Sequence, residues 1–65
     1  MNLIEGIQTE QTRVRELLKQ YEAIGPTGAF GAMMLKQALQ HGDKSIASGD
    51  VVDMLAAHAE LKGCE

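Results

Sequence analysis

Apolar residues recur at alternating steps of three and four along the first third of this chain, and Gly25-Pro26 then cuts the rhythm off. Leu3, Ile7, Val14, Leu17, Tyr21 and Ile24 make the seam, and Ile4 and Leu18 widen it. The pattern predicts a first helix over about 2–24, with Asn2 as N-cap and Glu5 at the spacing of a capping box. A polar stretch, Gln8-Thr9-Glu10-Gln11-Thr12-Arg13, interrupts the seam and puts Glu10 on it. That gap argues against a simple two-stranded coiled coil. It points instead to a helix whose N-terminal turn docks elsewhere, for instance on a neighbouring chain.

Glycine suits the position just past a helix C-terminus, and proline cannot continue the helix, so Gly25-Pro26 is a stop. Thr27 is expected to cap a second helix over about 28–48, and so short a connection makes the two helices antiparallel. Phe30, Met34, Leu35, Ala38, Leu39, Gly42 and Ile46 keep helical spacing across Gly42. An interior glycine costs about 1 kcal/mol relative to alanine, which a packed helix absorbs, so continuity through Gly42 is expected. Ser48-Gly49-Asp50 is the next stop, with Asp50 as N-cap of a third helix over about 50–62. Val51, Met54, Leu55, His58, Ala59 and Leu61 form its stripe, Lys62 sits in its last turn and Gly63 ends it. No strand pattern occurs. The expected fold is all-α: one helical domain over 1–65, a long antiparallel hairpin with a shorter third helix folded back on it.

The chain begins with Met1 and is read as a complete product of 65 residues. A domain this small buries only about 60% of its unfolded surface and needs further support. A single cysteine, Cys64, rules out an intrachain disulfide, and His41 and His58 are too few partners for a structural zinc. The apolar side chains are slim as well: Tyr21 and Phe30 are the only aromatics among 45% hydrophobic residues. Self-association into a homo-oligomer is therefore the expected source of extra stability. The net charge of −3 and the lack of a basic stripe disfavour nucleic acid as a partner. No segment reads as a secretory signal or a membrane span, so a cytoplasmic location with Cys64 reduced is expected.

The segment Ile24-Gly25-Pro26-Thr27-Gly28-Ala29-Phe30-Gly31-Ala32 is the most informative for function. Exposed N–H groups at a helix N-terminus, together with its dipole, favour phosphate or carboxylate, and glycines admit a ligand close to the backbone. Gly25, Thr27, Gly28, Ala29 and Phe30 are the candidate contacts. Tyr21, one turn earlier, could stack on a base, and Arg13 or Arg15, from the same or a neighbouring chain, could supply bidentate charge. Each has a plain structural explanation beside it. The glycines suit a tight turn and close helix packing, Tyr21 can plug the hairpin, and the arginines can pair with Glu10 or Glu16 on a solvated face.

The remaining reactive side chains point away from catalysis. His41 and His58 lie on different helices with no partner at triad spacing. Asp50 and Asp53 read as cap and first-turn charge, and Cys64 as an inert thiol in a fraying tail. Met33, Met34 and Met54 could form an adaptable binding face, with core packing the plainer assignment. No nucleophile, base and oxyanion site assemble, so a non-enzymatic protein without cofactor is expected.

The segment Ile24–Ala32 and the stretch Ala47-Ser48-Gly49-Asp50-Val51-Val52 resemble small helical proteins encoded by phages and prophages. The resemblance runs from about Arg13 to the end of the chain. The second stretch also looks like the Gly-Asp turn of tetratricopeptide-type helix hairpins. A viral origin would place the protein in the cytoplasm of a host cell. Small phage proteins of this kind include host-defence antagonists, some of them helical oligomers that sequester nucleotide second messengers. The resemblance thus implies an anti-defence sponge for an anionic signalling nucleotide. The alternative is a protein-interaction module, an inhibitor of a host protein or a virion-assembly adaptor, with an apolar groove between the second and third helices.

Overall fold

The computed structural model describes residues 2–65. Met1, on which the reading of the chain's start rests, lies outside them. Helix α1 (Leu3–Ile24) leads through a 3-10 turn (Pro26–Gly28) into α2 (Ala29–Ser48), and α3 (Val51–Lys62) follows. The three helices pack on one another in a bundle of 35 × 18 × 17 Å, with no strand among the described residues. The all-α class and the order of helices agree with the pattern of the sequence, and α2 runs unbroken through Gly42.

Capping explains where the helices start and stop. The Asn2 side-chain oxygen accepts the Glu5 N–H at 2.8 Å, which satisfies one of the donors a helix start leaves open. Gly49 ends α2 in the left-handed region, φ 70°, where a side chain would be strained. Asp50 then accepts the N–H groups of Val52 and Asp53. Thr27 does not cap α2 as expected. It lies inside the 3-10 turn, and the N-cap position falls to Gly28, which has no side chain to offer. Pro26 is the reason: it presets the dihedral of a helical first residue, so the chain coils two residues early.

The core corrects the expected stripes. Ile7, Val14, Leu35, Ala38, Leu39, Met54 and Leu61 form it, with Leu3, Leu17, Leu18, Tyr21, Ile46 and Cys64 packed around. Ile7 and Val14 are fully buried inside their own chain, so the N-terminal half of α1 docks intramolecularly. The residue that bridges the polar gap is Gln11. It is buried, and its Nε2 donates to the Leu39 carbonyl (3.2 Å) and to Asp43 Oδ1 (2.8 Å). Room for that amide comes from α2: a Cβ on Gly42 would lie 2.6 Å from Gln11 Nε2. On α2 the buried row is Ala32, Leu35, Ala38, Leu39, Gly42 and Ser45, while Phe30 and Met34 face outward. On α3 the buried row is Met54, Ala57 and Leu61, which leaves Val51 and Leu55 exposed. On α2 four of the six inward residues are small, Ala32, Ala38, Gly42 and Ser45, which lets the neighbouring helices approach closely.

Candidate binding surface

The site begins with Tyr21 at the end of α1. Its ring lies flush against α2, where a Cβ on Gly31 would come within 2.4 Å of the ring carbon Cε2. One turn away the two backbones touch, and a Cβ on Gly28 would sit 2.2 Å from the Tyr21 carbonyl oxygen. Gly28 and Gly31 therefore have an intrachain reason to be glycine. The Tyr21 hydroxyl donates to the Glu65 carbonyl and ties down the last residues of the chain. Arg13 ties the same segment from the other side. Its Nη2 donates to the Leu61 carbonyl (2.8 Å), its Nη1 to the Cys64 carbonyl (2.9 Å), and its Nε pairs with Glu10. The Leu61 carbonyl lies in the last turn of α3 and Cys64 just beyond it, so the guanidinium caps that helix and meets the negative end of its dipole.

The tail is thus held rather than fraying. Cys64 is half-buried against the core, and its Sγ donates to the Glu60 carbonyl. Burial, and then the nearby Glu60 charge, push its thiol pKa up. The thiolate that reactivity needs is disfavoured.

The anion-binding donors inferred from the sequence are largely occupied. Gly28 N–H donates to the Gly25 carbonyl at 2.9 Å, and Ala29 N–H to the Pro26 carbonyl. Gly25, φ 85°, closes α1 by donating its N–H to the Glu22 carbonyl. Thr27 is exposed. Arg15 is exposed as well, but it sits ten residues before Gly25, about 15 Å down the helix axis. Arg13 is engaged at α3, so neither arginine joins the turn within one chain. Of the eight residues singled out, Tyr21, Gly25 and Ala29 do share one groove.

That groove, about 420 Å³, runs between the end of α1 and the start of α2, and Pro26, Ala32 and Met33 add to its apolar lining. Its charged rim is the ion pair of Lys36 and Glu22, 3.4 Å apart. A second groove, about 380 Å³, lies between the start of α2 and the end of α3, lined by Gly31, Met34, Leu35, Ala38 and Ala59 among others. Between the two grooves stands a ridge. Phe30 is 71% exposed, and Met33 and Met34 are each nearly half exposed, one lining each groove. Spacing alone misses this ridge, because Phe30 and Met34 stand three and four residues from their neighbours as core residues do. Met33 and Met34, for which core packing is the plainer assignment from sequence, stand outward instead, and Lys36 and Glu22 are residues of the surface that the pattern does not single out. The signal available for them was weak: a cation and an anion that α-helical pairing brings to the same rim only once the hairpin is closed.

The chain has no match among protein-family models, curated proteins or solved structures. No helix is long and apolar enough to cross a membrane among the described residues.

Proposed function

We propose that this chain is a non-enzymatic binding protein that acts as a homo-oligomer and recognises apolar surface through the ridge of Phe30, Met33 and Met34. The observation that carries the reading is that ridge: one of the chain's two aromatics and two methionines stand in solvent between two apolar grooves. A ridge beside a groove on one face is self-complementary, as a two-fold contact between identical chains requires. Fully burying a side chain of Phe or Met size contributes about 1.5–3 kcal/mol, which is the support a domain of this length lacks. Methionine repacks against varied partners, so a host protein or a virion component would compete with the second copy for this face.

The nucleotide-sponge reading implied by the phage resemblance retains one supporting observation. The first groove has the volume of a small-ligand site, and both Tyr21 and Lys36 line it. Against it stand the occupied N–H donors of the turn and Glu22, whose carboxylate next to Lys36 repels a phosphate. A protein partner is therefore the better supported reading. Native mass spectrometry after incubation with cyclic and linear nucleotides separates the two. An oligomer free of added small molecules supports protein recognition, and a stoichiometric nucleotide retained by the folded chain would overturn it in favour of sequestration.

A further inference from the structure

His41 projects from α2 between two carboxylates of α3. Its Nε2 lies 2.7 Å from Asp53 Oδ1 and its Nδ1 lies 2.8 Å from Glu60 Oε2. Ionised carboxylates only accept hydrogen bonds, and an imidazole that donates from both nitrogens carries both protons and a positive charge. Asp53 and Glu60 are seven residues apart, two turns on one side of α3, so a single ring bridges two successive turns of that helix to α2. We propose that His41 is a protonation-dependent clamp, holding α3 along α2 as the imidazolium and releasing one of its two carboxylates as the neutral ring.

The seam is suited to such control. Only three of the twelve residues of α3 are buried, Met54, Ala57 and Leu61, and one of these is an alanine. The ring is 30% exposed, with Asp53 and Glu60 more so, and protons exchange with it freely. Asp53 and Glu60 are the charged groups that α3 turns toward the ring. Among the described residues no charge of α1 acts on the ring; Asp53 and Glu60 are the charges that do. Asp43 and Lys44 are its nearest charged neighbours along α2 itself. The hydrogen bond to Asp53 first, and that to Glu60 next, raise the ring's pKa above its ordinary value of 6.5. The clamp's contribution is therefore complete below the ordinary value and disappears as pH rises through the folded-state midpoint. Protonated, the clamp strengthens the fold. Neutral, the ring can donate from only one nitrogen.

The test is an NMR titration of the full chain, with His58→Gln used to leave a single histidine, and amide exchange measured across the same pH range. His41 should titrate above 6.5, and protection factors in α3 should fall through that midpoint by about tenfold for each unit by which it is raised. His41→Gln should abolish the step and hold α3 at the lower protection at every pH, while the helical spectrum is kept. Asp53→Asn with Glu60→Gln should bring the midpoint of His41 back toward the ordinary value. A midpoint at or below that value, α3 protection that stays level through it, or a step that persists in His41→Gln would each overturn the clamp.

Discussion

Two turns join the three helices, and they are built to different standards. The turn between α2 and α3 holds what a hairpin needs: Gly49 in the left-handed region and Asp50 capping two N–H groups. A Cβ on Gly49 would meet nothing within 4 Å. At the turn between α1 and α2 there is an extra 3-10 turn, glycines pressed against Tyr21, two grooves and an exposed aromatic. The first kind of turn only has to reverse the chain. The second also shapes a surface, and the close glycine contacts are what keep the start of α2 flush with Tyr21 so that Phe30, Met33 and Met34 are pushed outward.

The same substitution in the two turns should separate these roles. Gly28→Ala drives a methyl group into the Tyr21 carbonyl, and should destabilise the protein by about 3 kcal/mol, the upper part of the range for overpacking. Chemical denaturation measures it. Arg13→Ala removes the charged cap from α3 and should cost about 2 kcal/mol, reduced from the full value of a buried pair because the side chain is 44% exposed. Its signature is fraying of residues 61–65 in amide exchange while α1 stays protected. Gly49→Ala meets no neighbour, so strain in the left-handed region alone should lower stability by about 1 kcal/mol. Asp50→Ala should remove a similar amount by uncapping α3. Phe30→Ser should change monomer stability by no more than about 0.5 kcal/mol, since its side chain stands in solvent. If Gly28→Ala cost no more than Gly49→Ala, the distinction between the two turns would fail.

Much of the fold was legible in the sequence because it rests on local chemistry. Asn2, Gly25-Pro26, Gly49 and Asp50 mark helix ends by backbone requirements that need no tertiary partner. The direction each helix faces was harder. On α2 the rows Phe30–Met34 and Ala32–Leu35–Leu39 are both apolar at helical spacing, and only packing against Tyr21 and α3 chooses the row of smaller residues. In the sequence Gln11 falls in a polar gap, because its burial depends on a carbonyl and a carboxylate 28 and 32 residues away. The site was legible in part. The glycine turn stood out, but its donors turn inward to their own 3-10 turn, and Arg13 reaches a helix end 48 residues later. His41 showed no partner by spacing because Asp53 and Glu60 meet it only when α3 folds back.

The central claim is that the ridge of Phe30, Met33 and Met34 is the chain's binding surface and joins identical copies. Sedimentation velocity over a wide concentration range, on the parent protein and on Phe30→Ser with Met34→Ser, tests it most directly. The account predicts that the parent sediments as an oligomer and the double variant as a folded monomer with an unchanged helical spectrum. A parent that remains monomeric at the highest concentration, or a double variant that assembles as well as the parent, would contradict it.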